Sequence, residues 1–207
     1  MRKNLINEFD LIDSVIVSEP SNAIAQMKFE NLNSKDKEKY LLFDDILYLE
    51  KAKKEHKKFT DIIKAFTNKE NCFEIIELIW EVLSNKKIRK DFVSEIGCKF
   101  ADPEDCDSIM NMVPTGDNYQ SVALPNIMFT RDLGVSIGNS IIITWASKKV
   151  RNPENIIAKY IIKNHSLFSK YSIYDFHENH PDLSLEGGDV ILINKETIAI
   201  GVSERTS

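Results

Sequence analysis

"LEGGDVILINKETIAIGVSERTS" occupies Leu185–Ser207 and sets an acid and two glycines directly before an apolar run. Residues 189–203 read as a β-hairpin, because two runs rich in Ile and Val flank a polar break at Asn194-Lys195-Glu196. Gly187 and Gly188 permit close backbone approach or positive φ, so Glu186 stands at a strand end where the chain can crowd a neighbour. Toward the N-terminus, "SIIITWAS" (residues 140–147) is a second β-branched run, and a helical pattern fits about residues 154–164 between the two. Strands alternating with a helix predict an α/β architecture.

Upstream the character changes. From residue 34 to about 112 the pattern is helical. Leu41, Leu42, Ile46 and Leu49 return at steps of three and four, and "YLEKAKKEHKKF" continues as a solvated face. Phe73, Ile76, Trp80 and Leu83 predict a second apolar stripe, and Phe92, Val93 and Ile96 a third. "DPEDCDSIM" predicts a fourth helix, with Asp102 as cap and Pro103 at the first helical position. Ahead of this block, Ser14-Val15-Ile16-Val17-Ser18 reads as a strand closed by Pro20. Three segments are therefore expected: 1–33 as a first α/β part, 34–112 as a helical insertion, and 113–207 as further α/β modules.

The chain has 207 residues, 43% hydrophobic and 29% charged, which is enough for a substantial core and argues against disorder. A net charge of −5 gives no general attraction to nucleic acid. Cys72, Cys98 and Cys106 are odd in number and form no CxxC pair. The N-terminal stretch carries acids where a secretory signal needs an apolar run, and no stretch approaches the roughly 20 apolar residues of a membrane span. A soluble, cytoplasmic chain is expected, with no membrane and no nucleic-acid partner.

"FTRDLG" (residues 129–134) places Asp132 after a strand-like run, where loops usually build sites. Arg151 and Arg205 offer planar guanidinium groups suited to gripping a carboxylate through two parallel hydrogen bonds. Acids and arginines at strand ends suit a small zwitterion with a cationic tail. On spacing alone, Arg131–Asp132 reads first as a local salt bridge and Glu186–Asp189 as a plain turn. His177 and His180 have no Cys or acid at metal-ligand spacing and read as a solvated loop. His56 reads as a surface residue among lysines, and His165 as a helix-end residue favoured by the dipole. No metal site is read from these histidines.

Four motifs taken together carry a resemblance: "LPNIMFTRD" (residues 124–132), "KVR" at 149–151 with Glu154 after it, "LEGGDV" (residues 185–190) and "GVSERTS" (residues 201–207). In this order they resemble arginine deiminase of the guanidino-group-modifying enzyme superfamily, and "LLFDDILYLEKAKKEHKKF" (residues 41–59) resembles the start of that family's helical insertion. The resemblance implies a pentein, an α/β propeller of five ββαβ units around a central site, present here in part and with a helical insertion. It implies catalytic roles for Asp132, which pairs with the substrate guanidinium, and Glu186 beside it. It implies that Arg151 and Arg205 bind the substrate α-carboxylate with Asn126, that the Phe129 backbone holds the α-amino group, and that Asp189 joins the substrate-binding set. Arginine deiminases convert L-arginine to L-citrulline and ammonia through cysteine attack on the guanidinium carbon and hydrolysis of the thiouronium intermediate, so the resemblance implies no metal and no organic cofactor. Substrates with an α-carboxylate are expected over agmatine, which has none.

The resemblance also sets expectations about what this stretch lacks. The family's nucleophilic cysteine and His-x-Asp pair lie in the half that would follow Ser207, so this chain alone is expected to be inactive. Cys72, Cys98 and Cys106 read as core or surface thiols. The expected reading is an N-terminal fragment of an arginine deiminase; a half-length pseudoenzyme, a non-catalytic guanidino-binding module and a half completed by dimerisation are the alternatives. The last strand would then expose an unpaired edge, so homo-oligomerisation or pairing through that edge is expected. Two departures stand out: Ser18-Glu19-Pro20-Ser21 replaces the family's His-Arg-Pro-Gly loop, and Leu133-Gly134 follows "FTRD" where many members have Pro.

Overall fold

A computed structural model describes residues 7–9, 12–25, 46–67, 69–96 and 124–207. The chain divides into two compact units, residues 14–128 and residues 1–13 with 129–207. The expected boundaries near residues 33 and 112, the helix opening at Asp102, and Cys98 and Cys106 all lie outside the described residues.

In the unit of residues 14–128, β1 (Val15–Val17) pairs in parallel with β2 (Cys72–Glu74). Between them in the chain come α1 (Asn22–Ala25) and α2 (Leu49–Phe66). Only Thr60 is fully buried on α2, and ion pairs such as Lys57–Asp61 at 2.7 Å line its surface, as the lysine-rich pattern predicts. His56 departs from that pattern. Its ring is 12% exposed and its Nε2 lies 3.1 Å from Glu74 Oε1, so it faces β2 and not solvent. The other oxygen of Glu74 accepts the Glu19 N–H at 2.9 Å, which ties the loop after β1 to β2.

The second apolar stripe is corrected. Phe73 belongs to β2, and α3 (Ile75–Leu83) buries Ile75, Leu78, Ile79, Val82 and Leu83 while Trp80 is 38% exposed. Pairing of residues 72–74 with β1 fixes where the helix starts, and tertiary pairing outweighs the local period. The next helix, α4 (Lys86–Ile96), buries Phe92 and Val93. Asn85 caps it by accepting the N–H groups of Lys87 and Ile88, and Arg89 donates back to the Leu83 carbonyl at 3.2 Å.

The unit that contains residues 129–207 carries a β-β-α-β order. β3 (Gly134–Ile137) runs antiparallel to β4 (Ser140–Ile143), turning through Gly138 at φ 57°, a conformation suited to glycine. A helix, α5 (Asn152–Asn164), then crosses to β5 (Ser172–Asp175), which pairs in parallel with β4. The central strand is apolar on both sides: Ile141 and Ile143 are buried, and the intervening Ile142 packs against Val135, Leu185, Val190 and Leu192. A short helix, α6 (Phe176–Asn179), follows β5, so His177 is helical and not in a loop. Its ring stacks on Trp145 with centroids 3.9 Å apart.

The expected hairpin is present as β6 (Val190–Asn194) and β7 (Thr197–Ile200), with Asn194 Oδ1 accepting the Glu196 N–H in the turn. Val190 and Leu192 are buried, whereas Ile191, Ile193, Ile198 and Ile200 are each more than two-fifths exposed. Among the described residues, no helix is long and apolar enough to cross a membrane.

Candidate active site

The site is assembled from the ends of β-strands and the start of α5. Phe129 precedes a 3-10 turn over Thr130–Leu133, and its carbonyl accepts the Asp132 N–H at 3.0 Å. That turn aims Asp132 back toward α5. There a second 3-10 turn, Lys149–Arg151, runs straight into the helix, with a proline in its first turn. Two polar residues near the start of α5, Glu154 and Asn155, are buried. Glu154 is 1% exposed, and Asn155 Oδ1 accepts the Ala146 N–H at 3.1 Å. Thr144 donates its hydroxyl to the Asp132 carbonyl at 2.5 Å, so the end of β4 holds the Asp132 turn in place.

Arg151 is the hub. Its side chain is 3% exposed; Nη1 donates to Asp132 Oδ2 at 2.7 Å, Nε donates to Glu154 Oε2 at 2.9 Å, and Glu186 Oε2 lies 3.6 Å from Nη1. Burial alone would drive this guanidinium down, but Glu154 and Asp132 outweigh it and hold it above its ordinary value. Glu186 sits on the opposite balance. Burial pushes its carboxyl up, and the nearby Arg151 and Arg205 only partly offset that. Its Oε1 is buried with no hydrogen-bond partner among the described residues.

The two glycines after Glu186 exist for proximity. Neither has positive φ; instead a Cβ on Gly187 would fall 2.2 Å from the Arg131 carbonyl, and one on Gly188 would fall 2.6 Å from Asp132 Oδ1. Only glycines let the Gly187–Asp189 turn lie against the Thr130–Leu133 turn, which brings Glu186 and Asp132 together.

The C-terminal "SERTS" closes over this turn. Thr206 is buried; its Oγ1 accepts the Glu186 N–H at 3.1 Å and donates to Asp189 Oδ2 at 2.6 Å. Asp189 thus anchors the loop that carries Arg205. That guanidinium is about half exposed and reaches Glu186 Oε2 at 3.5 Å. Of the expected set, the structure gathers Asp132, Glu186, Arg151 and Arg205, with Phe129 and Asp189 in adjoining turns. Asn126 is buried in the 3-10 turn Pro125–Met128 of the other unit.

Acids and arginines here contact one another, where the sequence pattern suggests two separate ends of one ligand. Two buried carboxylates and a buried guanidinium each need opposite charge close by, and each is the nearest supply for the others. Sequence reasoning passed over Glu154 except as part of a motif, although its place three residues after Arg151 puts both on one helical face. It also missed Thr206 and Thr144, whose roles depend on contacts made at a distance along the chain.

Paired strands, a crossover helix and a parallel return strand, with an acid–glycine–glycine–acid turn beside an aspartate, define part of a pentein. A dimethylarginine dimethylaminohydrolase solved as an adduct with S-methyl-L-thiocitrulline shares this fold, with a TM-score of 0.53 and 13% identity over 94% of this chain and 52% of that one. The chain belongs to the arginine deiminase family: the family model described as arginine deiminase matches residues 73–207. The arginine deiminase of Borrelia recurrentis (strain A1) is 34% identical over 239 residues, covering 98% of this chain and 56% of its own length. The arginine deiminase of Staphylococcus aureus (strain MRSA252) is 30% identical, covering 97% and 55%. The chain thus spans little more than half the length of these relatives.

Proposed function

We propose that this chain supplies the substrate-binding half of an arginine deiminase, an enzyme that hydrolyses L-arginine to L-citrulline and ammonia. The observation that carries the reading is Glu186 Oε1: a buried carboxylate oxygen without a hydrogen-bond donor among the described residues, 4% exposed as a side chain, beside a second acid. An unpaired buried acceptor is costly, on the order of 1–3 kcal/mol, and a planar cation with several N–H groups removes that cost. A guanidinium is such a cation, and Asp132 supplies the second carboxylate for it.

In this reading Asp132 and Glu186 hold the guanidinium and keep its carbon electrophilic. Arg151 and Arg205 serve the α-carboxylate, and the Phe129 carbonyl, an acceptor by type, serves the α-amino group. Binding then exchanges ion pairs: the substrate's cationic head takes acid oxygens now facing arginines, and its carboxylate takes up the released guanidinium donors. Half-exposed Arg205, only 3.5 Å from Glu186, is the arginine freer to make that exchange. The covalent step calls for a thiolate that adds to the guanidinium carbon as ammonia leaves, and for water that then releases citrulline and restores the thiol. Cys72 lies in β2 of the other unit, where burial pushes its thiol up and so works against thiolate formation.

The chain by itself is therefore expected to bind L-arginine without turnover. Calorimetry with L-arginine tests the site: binding that disappears in Asp132→Ala supports it, and no heat with the unaltered chain refutes it. Citrulline formed by the purified 207-residue chain would refute the inactivity.

A further inference from the structure

Beside Asp132, Arg131 makes an arrangement the substrate reading leaves unused. Its Nε donates to the Gly187 carbonyl at 3.2 Å and its Nη2 to the Val190 carbonyl at 2.8 Å. The same guanidinium forks onto Glu8, with Nη1 to Oε2 at 3.1 Å and Nη2 to Oε1 at 2.8 Å. Glu8, 123 residues earlier, also pairs with β6: its N–H donates to the Leu192 carbonyl at 3.2 Å and its Oε1 accepts the Leu192 N–H at 3.1 Å. One side chain thus joins the N-terminal segment, the Glu186-Gly187-Gly188-Asp189 turn and the first strand of the hairpin.

The geometry points to Arg131 and Glu8 as a positioning pair that fixes the Glu186 turn against Asp132. This rests on the proposed guanidinium site, since what the pair positions is that site's second acid. Two features make Arg131 suited to the task. Its fork can serve a carboxylate and two backbone carbonyls at once, whereas a lysine's single ammonium cannot span them. Its own carbonyl is the atom against which Gly187 packs, so side chain and main chain of the same residue grip the turn from two directions. Glu8 completes the clamp by compensating the charge of a guanidinium that is half withdrawn from solvent.

The test compares Glu8→Gln, Arg131→Lys and Arg131→Ala in the full 207-residue chain. Amide exchange is followed at Asp189, whose N–H bonds the Glu186 carbonyl, and at Leu192, with the helix amide of Ile161 as reference. Faster exchange at Asp189 and Leu192, with Ile161 unchanged, is expected in all three variants; unaltered exchange in Glu8→Gln and Arg131→Lys overturns the clamp. Calorimetry adds a readout that loss of global stability does not move. Because the displaced acid faces the guanidinium end, L-arginine and agmatine should both weaken by a similar factor, about tenfold, the equivalent of about 1.4 kcal/mol of lost contact. Unchanged affinity for both ligands in Arg131→Lys, or a loss confined to L-arginine, overturns the positioning role. If the unaltered chain binds neither ligand, the guanidinium reading fails and the exchange data alone decide the clamp.

Discussion

Glu154→Ala is the sharpest test of the buried charge cluster. The carboxylate is 1% exposed and bonds Arg151 Nε at 2.9 Å, while the Arg151 side chain is 3% exposed. Breaking a buried ion pair by deleting one partner costs about 3–5 kcal/mol, because the remaining charge is left uncompensated. Asp132 stays 2.7 Å from Nη1 and Glu186 3.6 Å away, so Arg151 keeps part of its compensation and the lower end, about 3 kcal/mol, is expected. For a chain of this size that corresponds to a melting shift of roughly 6–12 °C. Glu154→Gln keeps an acceptor for Nε and loses only the charge, so it should fall between, at about 1.5 kcal/mol, the range of a hydrogen bond to a charged group. Urea denaturation followed by Trp145 fluorescence, in a Trp80→Phe background, reports the unit that holds the cluster. A loss below about 1 kcal/mol for Glu154→Ala would mean that water reaches Arg151, and the buried hub would be wrong.

Three further outcomes follow from the same geometry. Gly187→Ala should destabilise more than Gly188→Ala, by about 1–3 kcal/mol for the former, since its methyl meets the Arg131 backbone while that of Gly188 meets a movable Asp132 side chain; equal costs in a melting experiment would contradict this. The folded-state carboxyl of Glu186 stands above its ordinary value of 4.5, so the folded protein binds its proton more tightly than the unfolded chain and the charged form costs stability as pH rises past that value. Glu186→Gln should accordingly be more stable than the unaltered chain at neutral pH, with the advantage vanishing as pH falls below about 4.5; urea midpoints against pH check the sign. Finally, β7 exposes Ile198 and Ile200, so sedimentation at rising concentration should show self-association that the double change Ile198→Lys and Ile200→Lys reduces; a monomer at all concentrations would count against pairing through this strand.

Local pattern alone determined the hairpin around Asn194–Glu196, the helix after Arg151, the strand at Val15–Val17 and the glycine pair behind Glu186, because turn chemistry and side-chain period act over a few residues. The motif order also marks Asp132, Arg151, Glu186 and Arg205 as companions. What only the tertiary structure decided were matters of partnership. Phe73 became a strand residue by pairing with β1, His56 turned inward to Glu74, and the glycines proved to be needed for contact and not for positive φ. Arg131 found its partner in Glu8 and Glu186 was closed in by Thr206, because whether a charge is buried, and beside what, is fixed by residues far away in the chain. A carboxylate's chemistry depends on that surrounding, which no short stretch of sequence contains.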